Sequence, residues 1–167
     1  VKDADWRWYA TGPGHGIQLR RGKHAGRLVA GAAWNIGVED NPGGAVLVYS
    51  DDVGRTWRRG DSLDRDGRFR PSESVVVELV DGQVCINSRN GGNCRAVAYL
   101  ANGGETFHAH RVDKTLIDPA VQGSSLRAAA RDLGDARNLV LFANPNHSGG
   151  KDHQEQRQRL TVRSSLD

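Results

Sequence analysis

The stretch that decides the fold is SDDVGRTW at residues 50–57, which has the pattern Ser-x-Asp-x-Gly-x-Thr-Trp. The positions that define it are Ser50, Asp52, Gly54, Thr56 and Trp57. An aspartate placed here accepts hydrogen bonds from backbone N–H groups two or three residues later, and glycine supplies the positive φ that the turn needs. The closing tryptophan is expected to insert between strands and to bury a large apolar area. The stretch therefore predicts a tight hairpin turn.

The same turn recurs twice along the chain, each time after a strand-like run. Residues 100–107 read LANGGETF, a degenerate copy in which Asn102, Gly104, Thr106 and Phe107 occupy the matching positions and Leu100 replaces the serine. A third copy begins with Ser165-x-Asp167, at the end of the chain, and this predicts that the chain is an internal piece of a longer protein. Recurrence at a fixed place in a repeated unit is the signature of a repeat architecture.

Short apolar or alternating runs between Gly-, Asn- and Asp-rich turns predict a chain built of strands. Residues 126–137 (LRAAARDLGDAR) are interpreted as a strand, a turn and the start of the next strand, not as a helix. We expect an all-β fold forming about two to three four-stranded blades of a β-propeller. One partial domain, 1–167, would contain blade-like units at about 14–60, 72–112 and 122–167. The predicted strands are 16–19, 27–33, 45–49, 75–79, 83–88, 95–100, 125–129, 138–143 and 160–164.

The composition of the chain argues against several kinds of binding partner. The chain has 167 residues, a net charge of +3 and interspersed charges of both signs, with no basic stripe of the kind that binds nucleic acid. No apolar run reaches the length of a membrane span. Cys85 and Cys94 are expected to be free thiols, because a hairpin turn between them would not place them opposite each other. His147 and His153 with Asp152 and Glu155 fit no zinc spacing, so we expect no metal and no cofactor.

Four further segments, together with the turns at 50–57, 100–107 and 165–167, resemble the exo-α-sialidase family. In that family such turns are called Asp boxes, or BNR repeats, and the name is used here for the three turns. This resemblance covers nearly the whole chain and implies part of a six-bladed β-propeller. It also implies a glycosidase that releases terminal α-linked sialic acid from glycoconjugates with retention, so that sialylated glycans are the expected partners. The Asp box itself is structural in this family. The segments are WYATGPGHGIQL at 8–19, SESVVVELVDGQVCINSRN at 72–90, DPAVQGSSLR at 118–127, and LVLFANPN at 139–146 followed by RQRLTVR at 157–163.

The resemblance also implies roles for four residues. Glu73 matches the glutamate that takes the proton of a tyrosine nucleophile, which is needed because a phenol with a pKa of about 10 reacts poorly when neutral. Arg89 and Arg157 match the second and third arginines that hold the sialic acid carboxylate, for which a planar guanidinium is well suited. Gln122 is expected near the glycerol or N-acyl side of the sugar. One departure is that Ser74-Val75 follows Glu73, where the family usually has glutamine or a small polar residue.

Three parts of the family's machinery are expected outside this chain: the first arginine, the acid/base aspartate and the tyrosine nucleophile. We therefore expect the isolated chain to lack sialidase activity. The resemblance implies export or a periplasmic location for the full-length protein. The alternative function is a non-catalytic Asp-box propeller that binds glycans or proteins, and a related glycosidase with a changed substrate also stays open. His15 and Trp34 are candidates for the pocket wall, but a structural role is favoured for both.

Overall fold

The computed structural model describes residues 1–37, 43–67, 69–148 and 157–167, and in these ranges regular structure is almost entirely β, without an α-helix. Two short 3₁₀ helices, Gly22–His24 and Arg131–Leu133, join strands. The all-β prediction is confirmed. Residues 126–137 hold the end of a strand, the second 3₁₀ helix and a turn, and the next strand begins only at Leu139, after this range. The strands of the described part are β1 Trp8–Thr11, β2 Ile17–Gln18, β3 Leu28–Asn35, β4 Gly43–Ser50, β5 Arg58–Asp64, β6 Ser74–Glu78, β7 Val84–Ser88, β8 Cys94–Ala101, β9 Thr106–Ile117, β10 Ser124–Ala129, β11 Leu139–Pro145 and β12 Leu160–Ser165.

The strands form three antiparallel sheets in which neighbours in sequence are neighbours in space. The first sheet has the order β1-β3-β4-β5, with β2 also paired to β3; the second is β6-β7-β8-β9; the third is β10-β11-β12. Strand β6 packs beside β2, β3 and β10, so the inner strands of the three sheets lie next to one another. Successive meanders arranged in this way are the blades of a β-propeller. The proposed unit boundaries at 14–60, 72–112 and 122–167 stay a prediction.

The inner strand of the first sheet is interrupted. Strand β1 pairs with the end of β3 from Ala32 to Asn35, whereas β2 pairs with its start at Leu28 and Val29. The intervening residues 12–16 leave the ladder, and the Gly12 N–H still reaches the Gly31 carbonyl at 2.7 Å. The insertion therefore projects from the inner strand and brings Pro13 to the end of the sheets at which the candidate site lies.

The main core lies between the first and second sheets. Because side chains alternate along a strand, residues of one parity on β4 and on β8 face each other across this interface. The facing residues are Ala45, Leu47 and Tyr49 of β4 and Ala96, Ala98 and Leu100 of β8, and Val29, Val76 and Ile86 join them in the same buried cluster. A smaller cluster on the far side of the first sheet is built on Trp6, which stacks on Trp34 with 4.5 Å between ring centroids.

The first Asp box is closed by side-chain hydrogen bonds of the predicted kind, although the backbone N–H bound by Asp52 lies four residues later, and not two or three. Asp52 accepts the Thr56 N–H at 2.8 Å and the Thr56 hydroxyl at 2.6 Å, while Ser50 Oγ donates to Asp52 at 2.8 Å and accepts the Gly54 N–H at 2.8 Å. The bonds from Thr56 hold the pKa of Asp52 at about 2. The prediction for Trp57 is wrong: its side chain is 40% exposed and lies over the turn, where its indole N–H donates to the Gly54 carbonyl at 3.1 Å.

The second Asp box is looser internally and serves as a contact between sheets. Its Asn102 Nδ2 lies 3.4 Å from Thr106 Oγ1, and Phe107 packs against the main core, as predicted. Gly104 has a φ of +99°, and a Cβ there would lie 3.1 Å from Leu47 Cδ1. Its carbonyl oxygen would be only 2.4 Å from a Cβ on Gly60. Glycine is therefore required on both sides of this contact.

Arg27 joins the first two Asp-box turns. Its guanidinium is buried over the Tyr49 ring at 4.2 Å and pairs with Asp51 of the first turn through bonds of 2.7 and 3.0 Å. The same group donates to the Asn102 carbonyl at 3.1 Å and to Glu105 at 2.9 Å in the second turn. A single buried cation thus fixes the first sheet against the second.

The third Asp-box copy makes an analogous connection between the second and third sheets. Arg127 of β10 binds both carboxylate oxygens of Asp167 at 2.7 Å and also donates to the Glu78 carbonyl of β6 at 2.7 Å. Asp167 in turn accepts the Val80 N–H at 3.1 Å. Cys85 and Cys94 are free, as predicted, and in the described ranges no helix has the length and apolarity needed to cross a membrane.

Candidate functional site

A pocket of about 380 Å³ lies at the end of the sheets where β6 and β10 begin and where β7 and β11 end. It contains every residue predicted for the site, although these residues are separated by up to 84 positions in the sequence. The lining residues are Pro13, Glu73, Arg89, Val121, Gln122, Pro145 and Arg157. Pro13, Val121 and Pro145 were not predicted. Pro13 and Val121 lie on connections whose path the sequence pattern does not reveal, and Pro145 is the last residue of β11, beyond the predicted strand 138–143.

Glu73 and Arg89 face each other at the entrance to the second sheet. Glu73 immediately precedes β6 and Arg89 immediately follows β7, so the pairing of these strands places them side by side. The Arg89 N–H donates to the Glu73 carbonyl at 2.8 Å, and Arg89 Nη1 lies 3.0 Å from Glu73 Oε2. The Arg89 side chain is 37% exposed and the Glu73 side chain is 29% exposed, so each keeps polar surface directed at the pocket. The pair offers a carboxylate and a guanidinium to the same small volume.

Gln122 lies on a connection that a buried ion pair holds in place. Arg95 and Asp118 are both fully buried, with Arg95 Nη1 3.0 Å from Asp118 Oδ2. Asp118 Oδ1 accepts the Val121 N–H at 3.0 Å, and Arg95 donates to the Val121 carbonyl. Burial lowers the pKa of Arg95, and the charge of Asp118 opposes this shift. Arg95 lies in β8, and its buried guanidinium anchors the residue next to Gln122.

The same network reaches the third sheet. Asn144 Nδ2 donates to Asp118 Oδ2 at 3.0 Å and to the Ile117 carbonyl at 2.8 Å, and Asn144 Oδ1 accepts from Arg163 Nη1 at 2.8 Å. Asn144 is adjacent to Pro145 of the pocket, and Arg163 belongs to β12, the strand that follows Arg157. Buried, satisfied polar networks of this kind fix one geometry, so the network positions the part of the pocket formed by the third sheet.

Two residues considered for the pocket wall lie elsewhere. His15 lines a separate cavity of about 340 Å³ between the inner strands, together with Glu78 and Arg127. Trp34 is buried on the far face of the first sheet, where its indole N–H donates to Ser62 at 2.8 Å. Of the polar residues weighed as metal ligands, Asp152, His153 and Glu155 lie outside the described residues.

The Asp boxes stand at the opposite end of the sheets from this pocket. Each box follows the third strand of its meander: β4, β8 and β12 end at the box, whereas β6 and β10 begin at the pocket. Since neighbouring strands are antiparallel, the end of a third strand lies at the far edge from the start of a first strand. The boxes therefore support the sheets and take no part in the pocket.

Meanders that carry Asp-box turns after their third strands, with a polar pocket at the end of the sheets remote from those turns, define part of an Asp-box β-propeller. Comparison with known proteins agrees. The profile described as "BNR repeat-like domain" matches residues 2–167, and the chain belongs to this family.

The relatives that the chain resembles are sialidases. It is 37% identical to a sialidase of Micromonospora viridifaciens, over 99% of this chain and 24% of that protein. It is 31% identical to a sialidase of Bacteroides fragilis, over 100% of this chain and 28% of that protein. The chain thus spans about a quarter of the length of these relatives.

Solved structures give the same fold. The Hadza microbial sialidase Hz136 superposes with a TM-score of 0.77 at 28% identity, over 99% of this chain and 30% of that one. The intramolecular trans-sialidase of Ruminococcus gnavus, in complex with oseltamivir carboxylate, superposes with a TM-score of 0.78 at 24% identity, over 99% of this chain and 31% of that one. Because its sequence identity is low, the similarity to the trans-sialidase supports the fold alone.

Proposed function

We propose that this chain forms part of the substrate-binding face of an exo-α-sialidase, which hydrolyses terminal α-linked sialic acid from glycoconjugates with retention. The observation that carries the proposal is the convergence of Glu73, Arg89, Gln122 and Arg157 on one pocket. The sialidases among the relatives agree with it. The alternative of a binding propeller without catalysis accounts less well for a carboxylate held 3.0 Å from a guanidinium in that pocket.

In this proposal the two arginines hold the sugar. Sialic acid carries a carboxylate on its anomeric carbon, and a guanidinium binds a carboxylate through two parallel hydrogen bonds. Arg89 and Arg157 approach the pocket from the second and third sheets, so that together they fix the carboxylate from two directions. Gln122, which lines the same pocket, supplies an amide that both donates and accepts hydrogen bonds, which suits the glycerol or N-acyl substituent.

Glu73 is proposed to act on the nucleophile. A tyrosine hydroxyl attacks the anomeric carbon only if a base takes its proton, and retaining sialidases use tyrosine in this way. We expect that tyrosine, the acid/base aspartate and a third arginine to come from parts of the longer protein outside this chain. The Arg89 guanidinium orients Glu73 through one oxygen, Oε2, and leaves Oε1 to accept the phenolic proton.

The test uses the longer protein in which we propose that this chain is embedded, assayed with a fluorogenic sialoside. We expect Glu73→Gln to lower kcat by about 10²- to 10⁴-fold, the usual contribution of a positioned base. We expect Arg89→Lys to lower kcat/KM by about 10- to 100-fold, because the second hydrogen bond to the carboxylate is lost. The matched control is Arg137→Lys, an exposed arginine in the turn between β10 and β11 at the opposite end of the sheets.

The outcomes separate the two candidate functions. Turnover by the parent protein, lost in the Glu73 and Arg89 variants and kept in the control, supports the sialidase. Binding of an unsaturated sialic acid analogue without turnover of any sialoside supports the glycan-binding propeller instead. Full activity of Glu73→Gln refutes the role given to this residue.

A further inference from the structure

The insertion at residues 12–16, which interrupts the inner strand of the first sheet, contacts the start of the second sheet and reaches the third. Gly14 lies in the middle of this insertion. A Cβ placed on Gly14 would lie 2.9 Å from Val75 Cγ1 of β6 and 4.0 Å from Gln122 Nε2, on the connection that leads into β10. The middle of the insertion therefore rests on one sheet and adjoins a pocket residue that belongs to another.

Only glycine fits at this point of contact. Gly14 has a φ of +127°, a backbone conformation that residues with a side chain rarely adopt. A Cβ at 2.9 Å would also overlap the methyl group of Val75. Val75 cannot turn away easily, because its β-branched side chain has few rotamers and the residue is only 2% exposed. A larger residue in place of Gly14 would therefore lift the insertion away from β6.

The part of β6 beneath the insertion is held from both sides. Ser74 and Ser88 share a buried hydrogen bond of 2.7 Å that joins β6 to β7. Gly31 of β3 packs on the other side, since a Cβ there would lie 3.0 Å from the Ser74 carbonyl oxygen. The Gly31 carbonyl also accepts the Gly12 N–H at 2.7 Å, at the start of the insertion. Ser74-Val75, where the sequence departs from the family pattern, thus forms a fixed support for the insertion.

The insertion also supplies part of the pocket wall. Pro13, the neighbour of Gly14 in the chain, lines the pocket together with Glu73 and Gln122. Consecutive residues are joined by a planar peptide unit of fixed length, so a displacement of Gly14 carries Pro13 with it. The width of the pocket therefore depends on how closely the insertion approaches β6.

We propose that Gly14 is a positioning residue of the candidate site: its contact with Val75 fixes the wall formed by Pro13 and so limits the size of the sialic acid substituent that the pocket admits. The proposal rests on the proposed function. The effect of Gly14 passes through Pro13 and through Gln122, whose amide is proposed to bind the glycerol or N-acyl substituent. One methylene against an apolar wall is worth about 10- to 200-fold in kcat/KM, so a small displacement of the wall changes which substituent is preferred.

The first experiment tests the contact without enzymatic activity, in a double-mutant cycle on the chain. Urea unfolding is measured for the parent, for Gly14→Ala, for Val75→Ala and for the double variant. Val75→Ala removes the methyl carbon at 2.9 Å and leaves the Cβ at 3.9 Å, an ordinary contact. In that background we expect the factor by which Gly14→Ala raises the unfolding equilibrium constant to be smaller by about threefold or more. Independent effects of the two substitutions overturn the contact.

Gly134→Ala is the matched control for backbone strain. Gly134 has a φ of +98°, but a Cβ there would meet no atom within 4 Å, so this variant introduces the strain without the collision. It follows the 3₁₀ helix between β10 and β11, at the opposite end of the sheets. We expect its effect on unfolding to be the same with and without Val75→Ala. The NMR signals of the Gln122 side-chain amide should move in Gly14→Ala and stay in place in Gly134→Ala; signals that stay in place in both variants overturn the positioning of Gln122.

The second experiment measures selectivity in the longer protein. The kcat/KM is determined for two series of sialosides, one with the N-acyl group lengthened by methylenes and one with the glycerol chain extended at its terminal carbon. Because Gly14→Ala lifts Pro13 from the pocket, we expect the large-to-small ratio of kcat/KM to rise about tenfold in one series, and that series identifies the substituent next to Gln122. Gly134→Ala is expected to leave both ratios unchanged. Ratios that Gly14→Ala does not alter in either series overturn the positioning role.

The two experiments fail in distinguishable ways. Coupling between Gly14 and Val75, without hydrolysis of any sialoside, refutes the sialidase and with it the selectivity, and keeps only the contact. Hydrolysis of sialosides with ratios that ignore Gly14→Ala keeps the sialidase and overturns the positioning role.

Discussion

Replacement of Asp118 by asparagine should destabilise the chain strongly, because it leaves a buried cation without its counter-charge. Arg95 and Asp118 are both fully buried, and Asp118 also accepts bonds of 3.0 Å from the Val121 N–H and from Asn144 Nδ2. Removing one partner of a buried pair typically costs about 3–5 kcal/mol. Since small domains have about 5–15 kcal/mol of stability in total, the loss should be obvious in a urea unfolding curve.

The hydrogen bonds that Arg95 keeps in Asp118→Asn reduce the loss of stability. In Asp118→Asn, Arg95 keeps Asn87 Oδ1 at 2.7 Å and the Asn87 carbonyl at 3.2 Å, so the guanidinium is still partly satisfied. The double variant Arg95→Met/Asp118→Leu removes both charges, and buried pairs replaced together by apolar residues are often neutral. We therefore expect the double variant to be more stable than Asp118→Asn. A loss below about 1 kcal/mol in Asp118→Asn, with an unchanged m-value, would refute the reasoning.

The remaining predictions concern the Asp boxes and activity. Gly60→Ala should cost about 1–3 kcal/mol in thermal or urea unfolding, because its Cβ would lie 2.4 Å from the Gly104 carbonyl oxygen; wild-type stability would contradict this contact. Asp52 has a pKa of about 2 in the folded chain, below its value of about 4 in the unfolded chain. The ionised carboxylate therefore stabilises the fold above about pH 4, and this stabilisation is lost as the pH falls through 2. The Tm gap between the parent and Asp52→Asn should accordingly shrink from pH 4 to pH 2, and a constant gap would argue against the turn bonds. Finally, the 167-residue chain alone should release no fluorophore from a fluorogenic sialoside, whereas robust turnover would show that it contains its own nucleophile.

Much of the fold was accessible from the sequence because inner and middle strands are apolar on at least one face. Strands β4, β6 and β8 are buried over most of their length and give clear apolar runs. Three strands escaped prediction: the short β1, which reads WYAT, and two polar strands at sheet edges. Of these two, β5 reads RRGDSLD and β9 reads TFHAHRVDKTLI, and most of their residues are exposed. An outer strand contacts the sheet along one edge and needs little apolar surface, so periodicity does not mark it.

The charged residues that line the candidate site could be predicted from the sequence, but the buried residues that hold its loops in place could not. Glu73 and Arg89 stand at the ends of two adjacent predicted strands, so a hairpin between those strands already places them together. The buried position of Arg95 has a weak signal, because it shares a face with Val97 and Tyr99 on β8. Its partner Asp118 lies on an irregular connection, 23 residues away, and no local pattern indicates that such a connection folds over a buried arginine.

The separation of the Asp boxes from the pocket has a consequence for how such a chain can change. Substitutions in the box turns alter how firmly the sheets are held together, and those in the loops at the other end alter the lining of the candidate pocket. Few side chains serve both ends, so selection can adjust durability and specificity one at a time. Laboratory evolution could exploit the same division by randomising the pocket loops on a scaffold strengthened beforehand at the turns.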